Sequence, residues 1–260
     1  MIEQYQQEIS AVLARLWSTQ TSALRRAAGW MADSIAADGL VHLFGSGHSV
    51  LPVLDMFPRY GSFAGFSPMM DSRLMWLSVM DTGGAKELLW LERTEGYAAV
   101  FLEDKDLAPG DVLLVFSHGG LNAAPIEVAL EARRRGLKVV AATSLDNYRR
   151  RAATHSSGKK LPDVADLAID NCVPAEDALV QVPDMLGRVA AGSTVSFITI
   201  GMALVAEVAA QLAARGITPR QFVSPNVAGV PPDHNRQVFA DFNARRQRHA
   251  ARRQHTAAKS

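Results

Sequence analysis

Two short loops in this sequence combine glycines with hydroxyl and imidazole side chains, which are groups that can hold a polar ligand. They read Gly45-Ser46-Gly47-His48-Ser49 and Ser117-His118-Gly119-Gly120-Leu121-Asn122. Glycine lets backbone N–H groups approach a ligand closely, and serine adds a hydroxyl, which together suit an oxyanion at a helix N-terminus. The first loop lacks the third glycine of the dinucleotide fingerprint, and the chain contains no P-loop motif. The alternative for such a loop is a tight strand-to-helix turn that binds nothing.

Each loop follows an apolar run that is typical of a buried parallel strand. These runs span residues 41–44 and 111–116, and a third run at 138–142 ends at Thr143 and Ser144. Because open α/β sheets bind ligands at the carboxyl ends of their strands, we expect all these polar residues to share one edge of the sheet. Ser193 and Thr194 begin a long apolar helix, where their hydroxyls either cap the helix or join the anion site.

The elements between the loops alternate between helical and strand patterns. Apolar residues recur at helical spacing over 2–37, which predicts one long helix or two consecutive ones. Further helices are predicted at 50–60, 86–95, 125–135 and 193–214, with a last helix from 233, and further short strands at 62–66 and 167–171. This alternation indicates an α/β fold with a parallel sheet built from right-handed βαβ units.

Composition indicates a globular protein and excludes several classes. The 260 residues are 48% hydrophobic and 20% charged with a formal net charge of +1, which gives no reason to expect nucleic acid binding. The lone Cys172 excludes an internal disulfide and a paired-cysteine metal site. No targeting segment is visible, and the apolar runs are too short to span a membrane. We therefore expect a cytoplasmic protein with no membrane partner.

No repeat or linker divides the chain, so residues 1–244 are predicted to form a single domain that includes the helical leader. Residues 245–260 carry five arginines and one lysine without any acid. A short basic stretch at a terminus is usually disordered and solubilising, and the alternative is an arm that binds nucleic acid. We expect residues 245–260 to be a disordered tail.

Several segments carry a resemblance in order along the chain: FGSGHS, LERTEGYAAVFL, LAPGDVLLVFSHGGLNAAPIEVALEARRRGLKVVAATS, HSSGKKLPDVADLAIDN, AGSTV and SPNVAGVPPDHN. Over most of its length the chain resembles the sugar isomerase (SIS) domain family, and most closely an uncharacterised bacterial branch labelled phosphosugar or phosphoheptose isomerase. The resemblance implies a flavodoxin-like three-layer αβα sandwich with a five-stranded parallel sheet. It also implies that the loop hydroxyls and amides cradle a sugar phosphate, in a homodimer or homotetramer with the site near the subunit interface.

The resemblance implies an aldose–ketose isomerase that moves a proton between adjacent carbons through an enediol. Such a reaction needs a general base, an acid that opens the sugar ring, and donors for the developing oxyanion. The family's acid positions match Glu176 and Asp177 after the fifth strand and Asp55 after the first loop. We predict Glu176 as the base, and the alternative for this acid pair is a helix N-terminal cap. His234 is the predicted ring-opening acid, with His48 second, and the alternative for either histidine is a structural role.

The loops depart from the family pattern, and the departures bear on the substrate. Relatives show Ser-Asn-Ser-Gly-Arg-Asn at the second loop, so a hydroxyl and a guanidinium are missing here and His118 is new, in a place to contact the sugar or its anion. Val50 stands where relatives tend to have a second histidine. Charge-assisted bonds to an anion are worth roughly 1.5–3 kcal/mol each, so the loss of these side chains weakens the selection for phosphate. A sugar that ends in phosphate, one that ends in sulfonate and an unphosphorylated sugar all stay open as ligands.

No cofactor or metal is expected, since seven histidines are scattered and no HExxH or paired-cysteine spacing occurs, although some SIS relatives bind zinc. The expected ligand is a small sugar. Two alternatives to the isomerase stay open. One is a non-catalytic protein that binds a sugar phosphate and regulates a partner. The other is a lyase or etherase that uses the same acid at the carbon next to a carbonyl.

Overall fold

The computed structural model describes the backbone of residues 1–257 and the side chains of residues 1–251. Within these residues the helices are α1 (Ile2–Ala36), α2 (Val50–Met56), α3 (Ala85–Leu91), α4 (Tyr97–Leu102), α5 (Ala123–Arg134), α6 (Leu145–Arg150), α7 (Leu161–Val164), α8 (Ser193–Ala213) and α9 (His234–Ala257). The strands are β1 (Val41–Gly45), β2 (Phe66–Pro68), β3 (Val112–Phe116), β4 (Lys138–Thr143), β5 (Leu167–Asp170), β6 (Ala178–Val180) and β7 (Val189–Ala191).

Within the described residues, five strands form one parallel sheet in the order β2-β1-β3-β4-β5. The predicted α/β fold with a five-stranded parallel sheet is confirmed. Gly45 lies beside Phe116 in the register, and Phe116 lies beside Ala142. The loops that follow β1, β3 and β4 therefore begin at one edge of the sheet. The strand order reverses between β1 and β3, which is where open sheets of this kind form a ligand crevice.

Helices cover both faces of the sheet, because successive strand side chains point to opposite faces. Leu114 and Phe116 belong to one core, under α1, α2 and α8. Leu113 and Val115 belong to a second core, under α4, α5 and α7. Strands that are buried on both sides read as continuous apolar runs, as β3 does with VLLVF. The result is the predicted three-layer αβα sandwich.

The predicted leader is one uninterrupted helix of 35 residues, α1. Its buried positions, such as Leu16, Ala27 and Met31, recur at helical spacing and pack into the same core as α8. Among the described residues, α8 is the one helix whose length and apolar composition would allow it to cross a membrane. In the structure its buried side contacts α1 and α2.

Two helices end earlier than the sequence pattern predicts. A helix is predicted over 50–60, but α2 ends at Met56 because Phe57, which precedes a proline, is extended (φ −162°, ψ 135°). A helix is also predicted over 86–95, but α3 ends at Leu91. Gly96, with φ of 87°, then starts the separate helix α4.

Two features of the strands also differ from the sequence pattern. The strand predicted at 62–66 lies later, at β2, because Phe66 pairs with Val41 while Phe63 forms an isolated antiparallel bridge with Gln221. β6 and β7 form an antiparallel hairpin of two three-residue strands. Strands of that length carry too few alternating positions to be recognised in a sequence.

The last helix crosses the boundary predicted at residue 244. Because α9 runs to Ala257, the structure differs from the expected disordered tail over residues 245–257, and residues 258–260 lie outside the described residues. Arg245 donates to two carbonyl groups at and just after the C-terminal end of α1, at 2.9 and 3.0 Å. Arg248 donates to both carboxylate oxygens of Asp38, at 2.5 and 2.9 Å. These bonds hold the basic segment against the rest of the chain.

Gly45→Ala is expected to lower the free energy of unfolding by about 1–3 kcal/mol, the usual cost of an overpacked site. A Cβ at this position would lie 2.0 Å from the backbone oxygen of Ser49, which has no room to yield. Denaturant titration measures the change. Gly119→Ala is the control, because a Cβ there meets no described atom within 4 Å. Equal stability of the two variants would contradict this close approach.

Candidate functional site

A buried carboxyl group, that of Glu92, lies between the loops that follow β1 and β3. Glu92 is 6% exposed, and its Oε2 accepts a hydrogen bond from the hydroxyl of Ser46 at 2.7 Å. Its backbone carbonyl accepts a hydrogen bond from the amide of Ala124, in the first turn of α5, at 3.0 Å. Glu92 therefore connects the first loop to the helix after the second loop, at the point where the strand order reverses.

Burial raises the pKa of Glu92 above its ordinary value, while the hydrogen bond from Ser46 and the positive charge of Arg93 act in the opposite direction. A Cβ built on Gly47 would lie 3.9 Å from Oε2 of Glu92, so the carboxylate adjoins the backbone of the first loop. A carboxyl group with a raised pKa beside a crevice is a candidate for proton transfer.

Glu92 is absent from the residues that the sequence predicts for the site. One signal for it exists, because Glu92 follows the buried Leu88 by four residues and thus shares its face of the helix. A carboxylate on the apolar face of an amphipathic helix needs a partner. Sequence pattern alone does not name that partner, because Ser46 lies 46 residues away.

An aromatic pair stands at the mouth of the first loop. The ring of His48 is exposed and lies 4.5 Å from the ring of Trp76 in an edge-on arrangement. Trp76 belongs to the segment 71–84, where a 3-10 turn at Ser72–Leu74 is followed by turns and bends. Imidazole and indole together give this wall of the crevice both apolar surface and proton donors.

The second loop turns its histidine toward β5. The side-chain amide of Asn171 lies 3.1 Å from Nδ1 of His118, and Nε2 of His118 lies 3.4 Å from the carbonyl oxygen of Ala175. If the amide donates, Nε2 carries the proton and donates in turn. Ser117 Oγ accepts from the amide of Gly120 at 3.2 Å, which closes the loop on itself. His118 thus fixes the loop against β5, and the crevice between β1 and β3 is bounded by the loop backbone.

Thr143 and Ser144, at the end of β4, use their hydroxyls within the fold. Thr143 donates to the carbonyl of His118 at 3.2 Å. Ser144 donates to the carbonyl of Val173 at 2.7 Å and accepts from the amide of Asn147 at 3.2 Å. Both residues are fully buried. These hydroxyls therefore position the second loop and the start of α6.

Asp177 caps the N-terminus of α8. Its Oδ1 accepts from the amides of Gly192 and Ser193 at 3.2 and 2.8 Å, and its Oδ2 accepts from the hydroxyl of Ser193 at 2.9 Å. Thr194 follows in the same turn and is half-buried. The carboxylate of Asp177 thus fills the place where this helix end would hold an anion, which agrees with the helix-cap alternative.

No hydrogen bond among the described residues joins Glu176, Asp55 or His234 to either loop. Glu176 has a side chain that is 50% exposed and pairs at 3.3 Å with an arginine in the turn between β6 and β7. Asp55, on α2, pairs with the arginine four residues later, which lies beyond the end of that helix. His234 lies 2.8 Å from the carbonyl of Gln221, which itself bridges to Phe63, ahead of β2. Within one chain, His234 therefore lies near the amino ends of the strands, at the end of the sheet opposite the two glycine loops.

A cavity of about 530 Å³ opens beside the second loop and the start of α5. Its lining carries two guanidinium groups, those of Arg93 and Arg151, and one carboxylate, that of Glu95. Asn122, at the N-cap position of α5, also lines this cavity, and its side chain makes no capping hydrogen bond. Arginines beside the N-terminus of a helix are typical of an anion site.

Two clusters in the described part of the chain have the donor types for a metal ion. Glu95, Glu127 and His155 form one, but Glu127 already accepts from two backbone amides at the start of α4. His42, Asp111 and His249 form the other, and all three are buried. Neither cluster includes Glu92.

Comparison with known proteins decides the family. A family model of the SIS domain matches residues 4–144. The chain belongs to the SIS domain family. This SIS domain protein is 34% identical over 248 residues to UPF0309 protein TTE0306 from Caldanaerobacter subterraneus, which covers 94% of this chain and 98% of that protein. It is 35% identical to UPF0309 protein GK1441 from Geobacillus kaustophilus, with 94% and 95% covered.

The fold agrees with that of a solved SIS domain structure. The phosphoheptose isomerase GmhA from Neisseria gonorrhoeae superposes with a TM-score of 0.54, over 80% of this chain and 96% of that chain. The two sequences are 16% identical, so the likeness is one of fold. The predicted family and its sandwich architecture are confirmed.

Asp177→Ala is expected to lower the free energy of unfolding by about 1–2 kcal/mol, since α8 loses its N-terminal cap. The neighbouring substitution Glu176→Ala is the matched control and changes it by less than about 0.5 kcal/mol, because an exposed ion pair contributes little. Urea titration of both variants measures the difference. A larger effect at Glu176 would contradict the cap assignment.

Proposed function

We propose that this protein is an aldose–ketose isomerase for a sugar with an anionic terminus, and that Glu92 is its general base. The observation that carries the proposal is the buried Glu92 carboxyl, with its raised pKa, hydrogen-bonded to Ser46 in the glycine loop. Membership of the SIS domain family supports a sugar or sugar phosphate as the ligand. The fold shared with a phosphoheptose isomerase is consistent with this ligand class.

In the proposed reaction the ionised Glu92 removes a proton from the carbon next to the sugar carbonyl. The carbonyl oxygen becomes an enediolate oxygen, and backbone amides of the first loop are the nearby donors for it. The hydroxyl proton on the neighbouring oxygen passes to this enediolate oxygen, and Glu92 returns its proton to the former carbonyl carbon, so the carbonyl moves by one carbon and no proton is gained or lost overall. The raised pKa brings the carboxyl closer to neutrality, where removal and return of the proton are balanced.

Glu92 takes the role in this proposal that the sequence resemblance assigns to Glu176. A base that is held by a hydrogen bond and shielded from water keeps its position and its reactivity. Glu92 meets both conditions, whereas the side chain of Glu176 is half exposed and paired with a surface arginine. Asp177 is engaged by the backbone of α8.

The cavity that Arg93 and Arg151 line is the proposed site of the anionic terminus. The second loop lacks the arginine that relatives carry, and these two guanidinium groups supply positive charge nearby. Arginine binds phosphate and sulfonate oxygens through paired N–H donors. Arg93 directly follows Glu92, so the cavity and the base are joined by one segment of chain.

His48 is the proposed ring-opening acid, since it stands exposed at the first loop. His234 lies near the amino ends of the strands, so its predicted role in ring opening requires a second copy of the chain.

We also propose a homodimer or homotetramer. Exposed apolar side chains of the segment 77–90, beside the first loop, support this assembly: Leu77, Val79, Met80, Leu89 and Trp90. A single unpaired cysteine supports a cytoplasmic location.

Glu92→Gln is expected to lower the isomerisation rate by about 10²- to 10⁴-fold while ligand binding persists, because the amide keeps the shape but accepts no proton. A thermal-shift screen with sugar phosphates, sulfosugars and the parent sugars finds the ligand. A ligand at 100 times its Kd adds about 2.7 kcal/mol of stability. Product analysis then measures turnover. Glu103→Gln, at an exposed position after α4, is the control.

The outcomes separate the candidate functions. Full activity in Glu92→Gln would remove Glu92 as the base. Binding of an anionic sugar by the wild type without any conversion would favour a regulator over an enzyme. Cleavage products in place of an isomer would favour a lyase or etherase. Stabilisation by no sugar at all, in folded protein, would contradict the sugar site itself.

Glu92→Gln is also expected to change how stability depends on pH. A raised pKa means that the folded state binds this proton more tightly than the unfolded chain, so the wild type loses stability as pH rises from the unfolded pKa through the folded one. The variant lacks this loss. The difference in Tm, variant minus wild type, should therefore grow from acidic to neutral pH. A difference that is constant with pH would contradict the raised pKa.

A further inference from the structure

Three side chains that can bind a metal lie close together at the amino ends of the strands, opposite the glycine loops. Nε2 of His42, on β1, lies 3.0 Å from Oδ2 of Asp111, just before β3. Nε2 of His249, on α9, lies 2.6 Å from the same oxygen. None of the three residues is more than 3% exposed. The five residues of β3 separate Asp111 from the second loop, which is about 16 Å along the strand.

Asp111 is held in a fixed orientation by the backbone around it. Its Oδ1 accepts from the amide of Leu40 at 3.0 Å, and its Oδ2 accepts from the amide of Ala108 at 3.0 Å. The carboxylate is therefore preoriented, as a metal-ligating carboxylate usually is.

Hydrogen bonds alone leave this cluster incompletely satisfied. One carboxylate oxygen receives three nitrogen atoms, those of Ala108, His42 and His249. Nδ1 of His249 is buried and has no hydrogen-bond partner among the described residues. A buried imidazole with a single bonded nitrogen gains little from hydrogen bonding in return for its desolvation.

We propose that His42, Asp111 and His249 bind one divalent transition-metal ion of the zinc class. Two imidazole nitrogens and one carboxylate oxygen are a donor set that such ions prefer. All three donor atoms lie within 4.8 Å of one another. Both imidazoles would bind through Nε2 in its unprotonated form, so in each neutral ring the proton would lie on Nδ1 once the ion is bound.

To hold an ion, the donor atoms of the cluster would move slightly apart. Bonds of about 2.0–2.1 Å place neighbouring ligand atoms about 3.3 Å apart. The observed separations from Oδ2, 3.0 and 2.6 Å, are smaller by about 0.3 and 0.7 Å, which small ring movements of His42 and His249 provide.

A cavity of about 440 Å³ adjoins the two histidines of the cluster, and a fourth ligand of the ion would enter from it. Both histidines line it, together with Phe57, Met69, Asp106 and Phe242. Three protein ligands with an open position are typical of zinc sites that bind a water or a small ligand. The ion would also fasten α9 to the sheet, because α9, β1 and the residue before β3 each supply one ligand. This site departs from the sequence expectation of no metal, and it does not depend on the proposed isomerase activity.

The test measures metal content rather than turnover. Untagged full-length protein is stripped with a chelator, dialysed and reloaded with Zn²⁺ or Co²⁺, and bound metal is counted by elemental analysis. We expect about one ion per chain, a Co²⁺ absorption spectrum of tetrahedral type, and a higher Tm for the loaded protein. His249→Gln should lower the affinity at least about tenfold. His155→Gln, in the other cluster, should leave it unchanged.

Each outcome decides the proposal. Loss of the ion in His249→Gln with retention in His155→Gln supports it, provided that circular dichroism shows both variants folded. Loss in His155→Gln with retention in His249→Gln overturns it and assigns the ion to the Glu95 cluster. Wild-type protein that binds neither Zn²⁺ nor Co²⁺ overturns it without any variant, and the three residues are then a hydrogen-bonded lock on α9.

Discussion

One partly buried hydrogen bond, from the hydroxyl of Ser46 to the carboxylate of Glu92, connects the two halves of the crevice. The first loop can make this bond because β1 ends at Gly45, where a Cβ would lie 2.0 Å from the backbone oxygen of Ser49. The second loop is tied to the same residue through the amide of Ala124. The burial that orders both loops also raises the pKa of Glu92. A single constraint therefore serves the fold and the proposed chemistry.

The polar residues along the sheet edge divide into two groups. On the side of β4 and β5 they bond to each other, as His118 does with Asn171 and as Ser144 does with the carbonyl of Val173. On the side of β1 and β3 the exposed His48, the backbone of the first loop and the cavity beside Arg93 remain open to a ligand. Rigid support on one side preorganises the loops on the other, which is what catalysis through fixed donors needs.

Local pattern in the sequence was enough for β1, β3, β4 and β5, for the long helices and for the two glycine loops, because runs of apolar residues and helical spacing can be recognised among consecutive residues. It was not enough for Glu92, whose burial depends on the packing of α3 between the first loop and α5, or for the pairing of Asp177 with the start of α8. The basic segment after residue 244 looks like a tail in composition, yet Arg245 and Arg248 find partners at the end of α1, more than 200 residues away. Long-range contacts of this kind are what sequence pattern leaves out.

The most direct test of the central claim is deuterium incorporation into the sugar that the protein binds, followed by NMR in heavy water. Proton transfer through an enediol by a carboxyl group that exchanges with solvent places deuterium on the carbon next to the carbonyl. The account predicts incorporation with the wild type and loss of it by about 10²-fold or more in Glu92→Gln. Incorporation at the wild-type rate in Glu92→Gln would contradict it.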